Sequence, residues 1–152
     1  MSDLELTNML SCHPYLQGMS PEQLQKLAAC CRRMTITAGQ YLGREKEAAD
    51  AFYLIQSGQV AIETCTPDRG VVCIQTLGAG DLVGWSWVAP PHIWQFDARV
   101  NAKVDVLAFD AAALRKACQE DHELGYELLK RLVVVIARRL AGTRMKLLES
   151  FR

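Results

Sequence analysis

Residues 34–109 are cut into short β-type runs by turn residues, and this spacing constrains the fold more than any other feature of the chain. The runs are 34–36, 41–44, 51–55, 59–65, 71–77, 81–84, 96–102 and 104–109. Short strands of this kind, placed one after another, predict a sandwich or roll and not a βαβ layout. Ser57-Gly58-Gln59 and Asp68-Arg69-Gly70 supply turns, the second closing a hairpin.

Helical signals frame this block. Residues 4–10 carry a weak helical pattern that His13-Pro14 interrupts. Ser20-Pro21-Glu22-Gln23 offers an N-cap serine, a proline at the first helical position and a glutamine at the third, which is a capping box. It predicts a helix over 21–31 with Leu24, Leu27 and Ala28 facing inward. Asp110 is placed to cap a helix over 111–120 with Leu114 inward, and Asp121 to cap another running to about Leu148. That last helix is roughly 40 Å long at its ordinary rise, more than one face of a small roll needs. Leu129, Val133, Ile136, Leu140, Thr143 and Leu147 recur along it as a heptad seam, with Leu128, Leu132 and Val135 as a neighbouring stripe. One stripe can pack on the roll while the other meets an identical helix across a two-fold axis; the competing reading is one broad buried face in a monomer.

A chain of 152 residues predicts one domain, with helices over 1–33, a β-roll over 34–109 and helices over 110–152. Its 17 basic and 17 acidic residues cancel, which removes the electrostatic footprint of non-specific nucleic-acid binding. The 6 cysteines show no C-x-x-C spacing and are expected to be reduced, mostly buried thiols. No secretory signal and no apolar span long enough for a bilayer is visible, so a cytoplasmic protein without membrane contact is expected. His13, His92 and His122 are widely separated, and no nucleophile–base arrangement has supporting context, so neither metal nor catalysis nor any cofactor is predicted.

Several blocks resemble the cyclic nucleotide-binding domain family, in particular the sensor half of catabolite-activator and FNR-type regulators. They are His13-Pro14-Tyr15-Leu16, Ala38-Gly39-Gln40-Tyr41-Leu42, the run from Asp50 through Leu54-Ile55-Gln56-Ser57-Gly58-Gln59-Val60, Leu77-Gly78-Ala79-Gly80-Asp81-Leu82-Val83-Gly84, Ala98-Arg99-Val100-Asn101-Ala102 and Ala137-Arg138-Arg139-Leu140. The resemblance implies a mainly β protein with flanking helices, a jelly-roll-like β-roll that dimerises through the long C-terminal helix. It also implies that Gly84 opens a short helix whose backbone N–H groups cradle a cyclic phosphate. In the family a glutamate follows that glycine to hold the ribose, an Arg-Ser/Thr-Ala triplet clamps the phosphate, and a threonine on the long helix reaches the purine. Relatives that bind DNA carry a further domain after this helix, whereas this sequence stops at Arg152, so no direct DNA binding is expected.

The charged positions depart from that pattern. Trp85 stands where the glutamate belongs, and register through Ala98, Val100 and Ala102 places Phe96 at the arginine and Asp97 at the serine or threonine. Thr143 matches the purine-contacting threonine. The family also has phenylalanine near Gly43 and glycine near Lys46. All three tryptophans, Trp85, Trp87 and Trp94, fall in this stretch and with Phe96 and Asp97 would either line a pocket for an apolar or cationic ligand or fill an abandoned cavity.

The expected ligand site is therefore Gly84, Trp85, Ser86, Trp87, Phe96, Asp97, Ala98, Arg99 and Thr143. The expected function is a non-enzymatic sensor module that binds a small molecule other than, or more weakly than, cyclic AMP. The alternatives are a ligand-free dimeric scaffold that engages a protein partner, and a true cyclic nucleotide binder that uses Arg99.

Overall fold

The computed structural model describes residues 2–151. Helix α1, Asp3–Cys12, starts at Ser2, whose side chain accepts from the Glu5 N–H. A single 3-10 turn, Pro14–Leu16, leads to α2, Pro21–Ala28, and the capping box is formed as predicted, with both Ser20 and Gln23 bonded reciprocally. Helix α2 ends at Ala28, short of the predicted 31, because Cys31 already opens strand β1, Cys31–Ile36. That strand pairs antiparallel with β6, Asp97–Asp110, from Cys31 opposite Phe109 to Ile36 opposite Val104. The ladder takes residues that helix propensity alone would have left in α2.

Strand β2 is Tyr41–Gly43, and β3 is a single strand, Ala51–Thr66. The predicted turn at Ser57-Gly58-Gln59 does not reverse the chain. It is an irregularity within β3 where the register against β6 shifts, and Gly58 takes φ +94°. A Cβ on Gly58 would lie 2.2 Å from the Lys103 carbonyl oxygen, so only glycine lets β3 bend this closely past β6. The predicted runs 96–102 and 104–109 fuse in the same way into β6. Strand β4, Gly70–Leu77, forms the predicted hairpin with β3, and β5, Leu82–Val83, pairs with the first half of β3. The order is β1-β6-β3-β4, with β2 added to β6 and β5 to β3, all antiparallel.

Alternation along β3 and β6 divides the interior in two. Phe52, Leu54, Leu107 and Phe109 face the helices and pack with Leu10, Leu16, Leu27, Leu114, Leu124 and Leu128. Val60, Ile62, Ala98, Val100, Val104 and Val106 face the roll interior with Leu42, Leu77 and Trp94. Asp110 caps α3, Ala111–Glu120, and Asp121 caps α4, His122–Glu149, as predicted. On α4, Leu124, Leu128 and Leu132 are buried, whereas Leu129, Val133, Ile136, Leu140 and Leu147 are all exposed. Tyr15 donates to the Leu128 carbonyl at 2.7 Å, and Lys146 reaches the Ile74 carbonyl at 3.2 Å.

The thiols depart from expectation. All six are free, but Cys12, Cys65 and Cys73 are exposed and Cys30, Cys31 and Cys118 only partly buried. The exposed three lie at the end of α1 and on the solvated edge of the β3–β4 hairpin, where no layer covers them. Burial pushes the Cys31 thiol up to about 12 and that of Cys118 to about 11, which keeps both protonated and weakly nucleophilic.

Candidate ligand site

The site is built on the turn after β5. Asp81 holds the approach by accepting from the Gly78 N–H at 2.9 Å, and Gly84 then adopts a left-handed conformation, φ +90° and ψ +68°, that swings the chain into a 3-10 turn, Trp85–Trp87. Beyond it the chain passes a cis Pro90–Pro91 bond and His92, at φ +56°, and returns beside residues 46–49. There Ala49 donates to the His92 carbonyl at 2.7 Å, Trp94 donates to Glu47 at 2.9 Å and Lys46 donates to Trp94 at 2.9 Å. Lys46, at φ +74°, occupies a conformation that glycine would adopt without strain.

These bonds deliver Trp94 into the roll, where it is 3% exposed. Its ring stacks on Tyr53 at 6.5 Å and meets the edge of Phe96 at 5.9 Å. It also occupies the space of two missing side chains. A Cβ on Gly43 would lie 1.9 Å from Trp94 Cε2, and one on Gly84 would lie 2.7 Å from Trp94 Cη2. The indole therefore spans from β2 to the glycine that opens the turn.

The four aromatics do not line one pocket. Trp87 is also 3% exposed but packs on Phe52 in the helix-side layer, and Trp85 sits half-buried against that same layer. Trp94 and Phe96 belong to the roll interior. The division arises because the two groups flank the sheet, Trp85 and Trp87 leaving β5 toward the helices and Trp94 returning beside β2. Trp87 Nε1 is buried without a partner, and it is the one such side-chain nitrogen or oxygen found among the described residues.

The remaining predicted residues are accounted for individually. Ser86 and Ala98 are buried. Asp97 accepts from the Glu45 N–H at 2.8 Å and so braces the turn after β2. Arg99 lies opposite Ala61 on the sheet face away from Ala98 and Val100, and donates two bonds to the buried Glu63, at 3.0 and 2.9 Å. Thr143 is exposed on α4 and donates to its own helix, to the Arg139 carbonyl at 3.0 Å. Among the described residues, a surface cleft of about 440 Å3 touches Trp94, Gly43 and Tyr53.

Two features escaped the sequence reading. His13 is buried, its Nδ1 accepting from the Tyr15 N–H and its Nε2 donating to the Ile55 carbonyl at 3.0 Å. Burial holds it below the usual histidine range, so the ring is neutral at pH 7. The Trp94–Gly43 complementarity was the other. Its signal was present as an extra large residue and a missing one, but their contact is tertiary. Among the described residues no group of three or more His, Cys, Asp or Glu could hold a metal, and no helix is long and apolar enough to cross a membrane.

This geometry is that of a β-roll with a glycine-opened turn after β5, and a sequence profile of the cyclic nucleotide-binding domain matches residues 33–121. The chain belongs to the cyclic nucleotide-binding domain family, whose members are regulatory and sensor modules. Among solved structures it is similar to a cyclic nucleotide-binding domain from Methylobacillus flagellatus, at 19% identity and TM-score 0.81, covering 97% of this chain and 83% of that one. The sensor domain of the transcriptional regulator DNR from Pseudomonas aeruginosa is similar at 23% identity and TM-score 0.72, covering 91% and 93%. A mutant regulatory subunit of a cAMP-independent protein kinase A from Trypanosoma brucei, bound to cAMP in its A site, is similar at 19% identity and TM-score 0.71, covering 95% of this chain and 53% of that one.

Proposed function

We propose that this chain is a non-catalytic regulatory module in which cyclic AMP is not held at the strength usual for the family. Trp94 carries the reading: its indole stands 2.7 Å from where a Cβ on Gly84 would lie, and in this reading it fills the space that a phosphate would need at the turn. The charge argument points the same way. Trp85 and Phe96 replace a ribose-binding carboxylate and a phosphate-binding guanidinium, and charged hydrogen bonds are worth roughly 1.5–3 kcal/mol each. Losing two weakens cyclic AMP by about two to four orders of magnitude. Arg99 is a poor substitute because its guanidinium already serves Glu63 from the opposite face. The Trypanosoma brucei neighbour is described as belonging to a cAMP-independent kinase, so this fold does not by itself carry cAMP dependence.

The effector in this reading is a different small molecule, and the output is a shift of paired α4 helices in a cytoplasmic homodimer that changes the affinity of a protein partner. A second reading, favoured by the burial of Trp94 and Trp87, is a dimeric scaffold with no guest beneath the turn. Titration of cyclic AMP and cyclic GMP, followed by calorimetry and indole emission, tests the proposal. The wild-type chain is expected to show no saturable binding at micromolar nucleotide, and Trp85→Glu combined with Phe96→Arg is expected to gain affinity for cyclic AMP when Trp94→Ala also opens the space beneath the turn. Tight stoichiometric binding by the wild type overturns the proposal, and unchanged affinity in the triple variant overturns the register behind it.

A further inference from the structure

The surface cleft of about 440 Å3 opens where β2, β3 and the turn at 46–49 meet, and it is within the size range of small-molecule sites. Its walls are aromatic and acidic. Tyr53, half-buried, and Trp94, buried, supply a stacked pair of rings, and Leu42 and Ala51 add apolar surface. Glu47 and Asp50, both exposed, supply two carboxylates, and no basic side chain of the described residues lines the cleft. Neither carboxylate takes part in an ion pair among the described residues. Their charge is uncompensated within the lining. The backbone that carries them is fixed: the Glu47 carbonyl accepts from the Trp94 N–H and the Asp50 carbonyl from the Ala111 N–H, each at 2.9 Å. The Tyr53 ring is held as well, its hydroxyl donating to the Leu42 carbonyl at 3.4 Å. Arg32 belongs to the adjoining cleft, which shares Asp50, Ala51 and Tyr53 with this one.

Aromatic rings attract a cation through their quadrupole, and carboxylates beside them add full opposite charges. A metal ion is poorly served by such a site. Hard cations need six or more oxygen ligands, and among the described residues no group of three or more His, Cys, Asp or Glu comes together. An alkylated ammonium, which carries apolar surface of its own, suits both kinds of wall. We infer that this cleft binds a small quaternary ammonium compound, its methyl groups against the Tyr53–Trp94 pair and its charge facing Glu47 and Asp50. Neither carboxylate belongs to the Gly84 turn, so the inference does not depend on how that turn treats cyclic AMP. Trp94 connects the two places, because a guest in the cleft meets the same ring that occupies the space beside Gly84.

Choline, at low ionic strength and followed by calorimetry and indole emission, tests the site. The wild-type chain is expected to bind it saturably in the millimolar range or tighter, with one molecule per chain. Glu47→Gln and Asp50→Asn alter exposed side chains; each is expected to weaken binding about threefold, and the two together about tenfold. Glu22→Gln removes an exposed carboxylate on α2, outside the cleft, and should bind as the wild type does. The neutral isostere of choline, with carbon in place of the ammonium nitrogen, should bind about tenfold more weakly or worse. Absence of saturable choline binding, or wild-type affinity in the Glu47→Gln, Asp50→Asn double variant, overturns the site. Equal affinity for the neutral isostere overturns the cation preference. Co-sedimentation with phosphatidylcholine vesicles in place of binding to free choline overturns the assignment to a free small molecule. A cyclic AMP titration reads the Gly84 turn instead, so the two proposals fail separately.

Discussion

Gly43 and Trp94 show how a single position acquires meaning from its neighbour. Glycine in a strand weakens pairing and packs nothing, yet here its missing side chain is the space that the indole fills. The pair therefore behaves as a volume exchange. Gly43→Phe alone is expected to cost more than about 3 kcal/mol, because the new ring and Trp94 cannot share the site. Trp94→Ala alone should cost about 3–5 kcal/mol through the cavity it leaves. Combined, they should cost much less than their sum, and chemical denaturation of the four species reads the coupling. Simple additivity would show that Trp94 does not occupy the space of the missing Gly43 side chain.

Helix α4 carries two faces with different fates. Leu124, Leu128 and Leu132 are consumed by the core, while Leu129, Val133, Ile136 and Leu140 remain exposed at heptad spacing. An apolar stripe of this kind on a long helix is suited to an identical helix across a two-fold axis. Leu140, 67% exposed, gives the cleanest test, because its replacement leaves the monomer core intact. Leu140→Glu is expected to convert a dimer to a folded monomer, seen by analytical ultracentrifugation with an unchanged circular dichroism spectrum. A wild-type chain that sediments as a monomer at high concentration would remove the dimer from the proposal.

Across the whole molecule, the helical layer is joined to the roll by buried polar contacts as well as apolar ones. His13 bonds forward to Tyr15 and across to Ile55 of β3, and its proton affinity is reduced by that burial. The folded state therefore binds this proton less readily than the unfolded chain, whose histidine titrates near 6.5. The contribution is fully present above that value and is lost as pH falls toward the lower folded value. Denaturant midpoints are expected to fall between about pH 7.5 and pH 5.5. His13→Asn, which keeps an acceptor for the Tyr15 N–H, should be less stable at neutral pH and show a flatter slope over that window. An identical slope in the variant would show that His13 is not the titrating group.

Local chemistry was enough for the capped starts of α2, α3 and α4, the β3–β4 hairpin and the division of α4 into two stripes, because each rests on residues within one or two turns of each other. The blocks from Leu54 to Gly58 and from Gly78 to Gly84 likewise carried the family. What the linear order did not contain was contact across the sheet. The end of α2 depended on β6 claiming Cys31, and the bend at Gly58 depended on how closely Lys103 approaches. The aromatic group separated into two layers because the turn after β5 sends Trp85 and Trp87 toward the helices, while pairing with residues 46–49 returns Trp94 to the roll. Arg99 was committed by a glutamate 36 residues away, a partner that no local pattern could announce. Burial and pairing at such distances are properties of the closed roll, so only the tertiary structure decided which charges remained free to meet a ligand.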